Sequence, residues 1–557
     1  MENTGVAPPS PPAILTPAIR RTALAAVLGL AACLRFAALD RQGLLFFDEG
    51  HLIMEARTCE RLWILSARTL LPGTVTARME ARRAIGGEIR ESRITFGKPA
   101  HNQALAVILS LCRRADRATF ILSASAGVAT VWIVYLLGAS AYGPAAGLAG
   151  AFILTLSPYH LLYSREGLSD SLTVFCWTAC LAAWLRTGTL SAVISGILGG
   201  LCIATNYRDL ILPLLVLAVS RKQALRFAFW LAAFGLTLAA FEVPYRIWLA
   251  AAGPDVRFPQ GTYLRQLGDL LSYHGAQGFG FSGFGAFAHH LSRWEGAVSL
   301  IFLIGVLPFQ LARWKGPDRG INLGLIIPWL LFSAYWDNAP RFFTPLLPLI
   351  ALAKGRWLLI GAALLTRPPA GGGASPLRGL PPLVAKAAVG LIAAAILVLP
   401  LVPALRLVPR PTPYLKAVEF LLQSGSPKHV STSMRIGRAY LGDDKCLASP
   451  VSPSEIPGLR RQGVRYAVVD MQAMFGGFER SAERYATSVR LAACCPTIRE
   501  YPYGGTALSQ FILEQDLGFP EALRILAYLE PLHPRLKVVD MSGCRLPCIP
   551  RSRIPVF

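Results

Sequence analysis

Apolar runs long enough to cross a bilayer recur along most of this chain, and no other feature narrows its fold as much. The first extends from Thr22 to Leu39. Charge flanks and apolar length predict further spans near 117–138, 144–161, 169–186, 189–206, 208–220, 224–248, 295–313, 319–336, 341–353 and 385–404. With a span taking roughly 20 residues, that makes about eleven. Backbone N–H and C=O groups in a bilayer must be satisfied internally, so such runs fold as helices. Composition agrees, since 53% of the 557 residues are hydrophobic and 16% are charged, where a soluble protein carries about a quarter charged. The expected fold is an α-helical polytopic membrane protein.

The formal net charge is +23, yet the chain shows no zinc-finger spacing and no nucleic-acid partner is expected. Its Arg residues lie mainly between apolar runs, where they satisfy the positive-inside rule or meet anionic lipid and phosphate. Arg186, Arg221-Lys222, Arg313-Lys315-Arg319 and Lys354-Arg356 fall on one side in this count, together with Arg20-Arg21. Residues 1–21 then form a cytoplasmic tail before an uncleaved signal anchor. "LAAC" at 30–33 imitates a lipoprotein cleavage box, but the spans that follow favour a Cys inside the first span. Residues 22–366 form the membrane domain, with external loops at 40–98 and 249–294. The Gly/Pro stretch within 367–384 is a cytoplasmic linker, and 385–404 is the last transmembrane helix. Residues 405–557 make a small extracytoplasmic α/β domain, and the expected location is the cell's inner (plasma) membrane.

Within the first loop, Leu52, Ala56, Cys59 and Trp63 share one helical stripe, with Arg57, Arg61 and Arg68 opposite, which predicts an interfacial helix. "KPAHNQALAVILSLCRR", from 98, holds an apolar run too short to span, so a second interfacial or re-entrant helix is expected. Beyond 405, "YLKAVEFLLQSG" has helical spacing, whereas "VRYAVVD", "SQFILEQ" and "RLKVVDMSG" read as short buried strands. "GFGFSGFGAF" at 278–287 lacks the Lys-Ser/Thr of a phosphate loop and reads as an external loop. Of the eleven Cys, five lie after residue 404. Cys544 and Cys548 are placed either for a local disulfide or as two free thiols.

Three charged spots share one membrane face in this topology: Asp48-Glu49, Lys98, and Arg165-Glu166 with Asp170. Ionisable groups at a bilayer edge are costly, and they point to function by default. The alternative is ordinary loop charges at the membrane boundary.

Together these residues resemble a known family. An Asp-Glu pair in the first external loop, "KP" opening a short apolar helix, and "SREGLSDSL" opening a span are similar to the glycosyltransferase C superfamily. The branch is the polyprenyl-phosphate-sugar-dependent one, with the protein O-mannosyltransferases and aminoarabinose transferases. "PRFFTPLLPLIAL" at 340–352, with Arg341, resembles that branch's late Arg- and Pro-rich span. The sequence departs from the pattern at His51, where some relatives carry a basic residue that touches donor phosphate. It departs again at "GKPA", where an acid before the Lys is common.

The resemblance implies transfer of a sugar from a polyprenyl-phosphate donor to a lipid, glycan or protein acceptor on the external face. Membrane lipids are the remaining partner. Asp48 would be the base and Glu49 would orient it or the acceptor. Lys98 and Arg165 would stabilise the donor phosphate. His51, Glu166, Asp170 and Arg341 would contact substrate, with Asp170 holding sugar hydroxyls or the Lys98 ammonium. No particular cofactor is implied. A divalent metal among Asp48, Glu49, His51 and His101 is conceivable, since oligosaccharide-transferring relatives use one, but "DEGH" lacks strict ligand spacing. His289-His290 is a weaker candidate still. The rival readings are a secondary transporter, which would show internal repeats and midplane charges, a ligase or polymerase of lipid-linked glycans, and a non-catalytic scaffold.

Overall fold

The computed structural model describes residues 16–70, 74–91, 98–112, 114–220, 223–276, 280, 283–335, 338–366, 382–407, 412–425, 428–431, 434–442, 445–448, 453–470, 490–503, 508, 510, 512–513 and 519–544. Its helices begin with α1 (Pro17–Phe36), α2 (Phe47–Leu70), α3 (Val75–Glu91) and α4 (Pro99–Leu111). They continue with α5 (Ala115–Tyr142), α6 (Pro144–Leu156), α7 (Pro158–Tyr163), α8 (Asp170–Trp184) and α9 (Thr189–Thr205). After these come α10 (Leu212–Val219), α11 (Ala224–Ala240), α12 (Val243–Ala252), α13 (Tyr263–Ala276) and α14 (Ala286–Glu295). The bundle closes with α15 (Ala297–Leu311), α16 (Pro317–Ala334), α17 (Leu347–Thr366) and α18 (Pro382–Leu407).

Punctuation in the sequence sets these boundaries. Thr16 caps α1 by accepting from the Ile19 N–H, with Pro17 in the first turn. Gly143, at φ +94°, turns the chain between α5 and α6, a conformation open to glycine. Tight helix contacts follow from small residues: a Cβ on Gly355 of α17 would stand 2.5 Å from the Gly150 nitrogen of α6. Close backbone approach through such residues is how apolar helices pack where lipid offers no hydrophobic contrast.

Among the described residues, four helical stretches are long and apolar enough to cross a membrane: Pro17–Phe36, Ala115–Tyr142, Ala224–Ala252 and Pro340–Ala363. Pro144–Leu156, Thr189–Thr205 and Ala297–Leu311 are apolar but shorter. Of the about eleven expected spans, these four are long and apolar enough among the described residues, and several of the other stretches form shorter or broken helices. The stretch 144–161 breaks at Ser157-Pro158, where Pro158 withholds an N–H and Ser157 caps α7 through the His160 N–H. The stretch 208–220 begins as a 3-10 turn, Tyr207–Ile211, before α10. The stretch 341–353 does the same, with a 3-10 turn at Pro340–Leu346 leading into a longer α17. The last helix of the bundle, α18, is longer than 385–404 at both ends.

Lys354 and Arg356 are not free flanking charges. Both are buried; Lys354 pairs with Glu295 at 3.0 Å and Arg356 with Asp318. They lock α17 to its neighbours inside the bundle. The expected linker falls mainly on 367–381, outside the described residues.

The C-terminal region is α/β, as its composition implied. Helix α19 (Pro413–Gln423) follows the "YLKAVEFLLQSG" periodicity and ends before Gly425, at φ +70°. Helices α20 (Met434–Leu441) and α21 (Ile456–Arg461) follow. The strands are β1 (His429–Ser431), β2 (Cys446–Ala448), β3 (Tyr466–Val469), β4 (Thr497–Pro502) and β5 (Arg535–Asp540). They form one sheet in the order β2-β1-β3-β5-β4. Strand β1 runs parallel to β2 and β3, while β5 is antiparallel to β3 and β4. "SQFILEQ" is not a strand: its described residues Gln510, Ile512 and Leu513 are helical. The Cys544–Cys548 bridge is also corrected, because Cys544 is joined to Cys495 across the domain; Cys548 lies outside the described residues.

Candidate active site

The sharp entry into α2 determines where its first acids sit. Glu49 occupies the third helical position, and its Oε2 accepts the N–H groups of Leu45 (2.6 Å) and Phe46 (2.8 Å). That is the side-chain half of a capping box. Its Oε1 accepts the Gly167 N–H at 2.6 Å, which staples the "SREG" turn to the start of α2. Burial pushes the Glu49 carboxyl up to about 7, against those three N–H groups, with neighbouring Asp48 adding to the rise. Glu49 is thus a buried strut that braces the turn presenting Asp48.

Asp48, one residue earlier, faces outward. Its side chain is 32% exposed and its Oδ2 lies 3.3 Å from Arg341 Nη1. Burial alone would raise its carboxyl, but Arg341, Lys98, His51 and Arg435 hold it below the usual carboxylate range. Asp48 is therefore an ionised acceptor of protons and hydrogen bonds at neutral pH.

Lys98 stands at the N-cap of α4, immediately before Pro99. Burial lowers its ammonium to about 8; Asp170 and Asp48 oppose this, and Arg208 and Arg341 reinforce it. Lys98, Asp48, Asp170, Arg208 and Arg341 therefore form one electrostatic cluster. Asp170 opens α8 and is bonded to Arg208. Asn206 Oδ1 accepts from Arg208 Nε at 2.9 Å, and the guanidinium lies 4.2 Å from the centroid of the Phe342 ring. Phe342 follows Arg341 in the same 3-10 turn, so "PRFF" supplies both a cation and an aromatic floor.

Arg208 is the site residue that sequence reasoning missed. "NYRD" at 206–209 falls at the junction of the spans expected over 189–206 and 208–220, although a charged pair between apolar runs is itself a signal.

Among the other candidates, His51 comes within electrostatic reach of Asp48. Arg165 turns away: its Nη1 donates to the carbonyls of Leu34 (2.9 Å), Arg35 (3.0 Å) and Ala37 (2.9 Å), satisfying the C-terminal end of α1. Glu166 is buried beside it. His51 Nε2 bonds to Glu55 Oε1 at 2.9 Å, and Glu55 Oε2 accepts from Asn102 Nδ2 at 2.8 Å. This chain ties α2 to α4 behind the cluster, and His51 is enclosed within it.

The same engagements decide the fit of a divalent ion. Glu49 is held by backbone N–H groups and His51 by Glu55, while fixed cations surround Asp48. Such a donor set does not suit a dication, whose own charge would be the largest in the site. Among the described residues, no group of three His, Cys, Asp or Glu is placed to hold a metal.

Residues 98–248 match the family of dolichyl-phosphate-mannose-protein mannosyltransferases. No curated protein matches this sequence. The fold is similar to that of the archaeal oligosaccharyltransferase AglB from Archaeoglobus fulgidus, solved with an inhibitory peptide and a dolichol-phosphate. The two are 13% identical, with a TM-score of 0.54, covering 88% of this chain and 73% of that one. It is also similar to ArnT from Cupriavidus metallidurans bound to undecaprenyl phosphate. Here identity is 14% and the TM-score 0.53, over 93% of this chain and 98% of that one. A further structure of the Archaeoglobus fulgidus oligosaccharyltransferase, with Zn and sulfate, is 12% identical at a TM-score of 0.54, over 93% and 88%. These likenesses are of fold.

Proposed function

We propose that this chain, a membrane protein with the glycosyltransferase C fold, transfers a sugar from a polyprenyl-phosphate donor to an acceptor on the external face of the cell's inner membrane. The observation that carries this reading is the partly exposed Asp48 carboxylate, ionised and set among Lys98, Arg208 and Arg341 at one end of the helical bundle.

In the reaction, an acceptor hydroxyl or amine attacks the anomeric carbon and gives its proton to Asp48. The bond from that carbon to the phosphate oxygen breaks, and the electron pair leaves with the polyprenyl phosphate. Direct displacement inverts the anomeric centre. Lys98, Arg208 and Arg341 meet the negative charge that grows on the phosphate, in a site where little water competes. Asp170 holds Arg208 and faces Lys98, keeping both cations in place before the donor arrives. The lipid phosphates bound in two structures of similar fold, dolichol-phosphate in AglB and undecaprenyl phosphate in ArnT, support this donor class. The Cys495–Cys544 disulfide supports an oxidising, external location for the C-terminal domain.

Purified protein in proteoliposomes should move radiolabel from one member of a panel of polyprenyl-phosphate hexoses and pentoses into a cell-envelope acceptor fraction. Wild-type protein that passes no label from any member, while binding undecaprenyl phosphate no better than Lys98→Ala, would overturn the proposal.

A further inference from the structure

The C-terminal domain reaches the same acids from outside the bundle. Helix α20 lies against the first turns of α2, and the approach is closest at Gly50, between Asp48 and His51. A Cβ at Gly50 would stand 2.6 Å from both the carbonyl carbon and the oxygen of Arg435, and 2.7 Å from the Ile436 nitrogen. Only a residue without a side chain admits the helix there. The seam is also latched by hydrogen bonds. Arg57 donates from Nη2 to the Ala439 carbonyl at 2.9 Å and from Nη1 to the Arg438 carbonyl at 3.3 Å. Those are C-terminal carbonyls of α20, the one at Arg438 also accepting from the Gly442 N–H at 2.9 Å. From the other side, the Leu44 N–H donates to Tyr440 Oη at 2.8 Å, and Gly43 is pressed against Thr412 and Leu415. The domain is therefore keyed into the loop that presents Asp48. Through this docking Arg435 comes within electrostatic reach of both Asp48 and His51.

We propose that the C-terminal domain supplies Arg435 as a positioning residue for the reaction: seated through α20 on Gly50, it sets a fixed positive charge toward Asp48, so the membrane domain alone carries an incomplete site. The inference rests on the reading of Asp48 as the proton acceptor. Besides Glu49, four titratable groups act on Asp48: His51 from its own helix, Lys98 from the start of α4, Arg341 from the turn before α17, and Arg435 from α20. Lys98 and Arg341 are the cations that an arriving phosphate recruits. Arg435 belongs to a different domain and remains as Asp48's counter-charge when the donor is bound. It also works against protonation of His51, so that Asp48 remains the group that takes the proton.

The test uses the full-length protein in proteoliposomes, comparing Arg435→Ala, Arg435→Lys, Arg57→Gln and Asp48→Asn. Transfer is followed across pH, and undecaprenyl phosphate serves as the probe for donor-site binding. Loss of the Arg435 charge should raise the acid limb of kcat by about one pH unit. That is roughly a tenfold loss at its acid end, with undecaprenyl phosphate binding within about twofold of wild type. Arg435→Lys should restore most of the limb. Arg57→Gln, which loosens the seam and leaves Arg435 in place, should shift the limb in the same direction by less. An inactive Asp48→Asn together with an unshifted limb in a folded Arg435→Ala protein would overturn this inference alone. A fully active Asp48→Asn would instead overturn the proton-acceptor reading beneath it. If Arg435→Ala does not fold, Arg435→Gln and Arg435→Lys decide: equal limbs in those two refute a role for the charge.

Discussion

Lys354 and Glu295 meet at 3.0 Å inside the bundle, and their side chains are 2% and 7% exposed. Asp48 and Arg341 meet at 3.3 Å at one end of it, with 32% and 14% exposed. The interior pair is closed. Ser157 and Ser299 hydroxyls both donate to the Glu295 carboxylate, and the Lys354 ammonium donates to Ser299. Asp318 is similarly enclosed by Arg356, Tyr142 and Gln310. At the Asp48 end, Lys98, Arg208, Arg341 and Arg435 gather around Asp48 and Asp170, with the buried carboxyls of Glu49 and Asp209 beside them. Charges sealed against one another hold helices together; a cluster of cations around a partly exposed carboxylate is placed to meet an incoming anion. Separating the two therefore requires perturbations that move stability in one region and transfer in the other.

The largest effect is expected in the closed region. Removing one member of a buried pair leaves the other charge uncompensated, at a cost of about 3–5 kcal/mol. Lys354→Met and Glu295→Gln should each lower the thermal midpoint steeply, read by size-exclusion recovery after heating. The double replacement Lys354→Met/Glu295→Leu should recover much of the loss. Protein that survives should keep its transfer rate. A single variant with an unchanged midpoint would break the contrast from this side.

Asp48→Asn comes next. It preserves shape and polarity but cannot accept a proton, so turnover should fall on the order of a hundredfold, with undecaprenyl phosphate affinity nearly intact and the melting profile unmoved. Lys98→Ala has a different signature, because its charge acts on both ground and transition states. Donor-site affinity and turnover should drop together. The Lys98 ammonium is lowered to about 8, so it is present below that pH and lost above it. Binding of undecaprenyl phosphate to wild-type protein should therefore weaken as pH rises through about 8. Lys98→Arg keeps its charge throughout and should flatten that decline; an equally steep decline would place the titrating group elsewhere.

This contrast was only half visible in the chain. Hydropathy and the Arg/Lys flanks conveyed a membrane bundle with an appended α/β domain, and "FFDEG", "GKPA" and "SREGLSDS" marked the elements that build the cluster. Side-chain direction was not legible. Asp48 and Glu49 are adjacent in sequence, yet helix geometry sends one outward and the other back onto the backbone N–H groups of its own cap. Arg165 has the residue type for phosphate binding, but three orphan carbonyls at the end of α1 claim it first. Arg208 escaped notice because its apolar surroundings read as a span, and its partners Asp170 and Phe342 are remote in sequence. The interior pairs were hidden for the same reason: Lys354 and Arg356 look like boundary charges until Glu295 and Asp318 are brought against them.

The smallest expected effect tests whether the open cluster depends on its floor. The Phe342 ring lies 4.2 Å beneath the Arg208 guanidinium and is itself 5% exposed. A cation over an aromatic face contributes about 0.5–2 kcal/mol, more where water is scarce. Phe342→Leu retains most of the apolar volume and removes only the ring face, so the fold should be little changed. Arg208 would keep Asp170 and Asn206 as partners but lose the surface that fixes its plane. If Arg208 meets the donor phosphate, undecaprenyl phosphate affinity should fall a few-fold, about the lower end of that range, while kcat stays near wild type because Asp48 is untouched. Asp170→Asn should weaken the same affinity further, since it removes the charged partner of Arg208 and a neighbour of Lys98. Affinity unchanged in both variants would remove Arg208 from the donor site and leave it with the interior pairs, as a charge that only holds helices together.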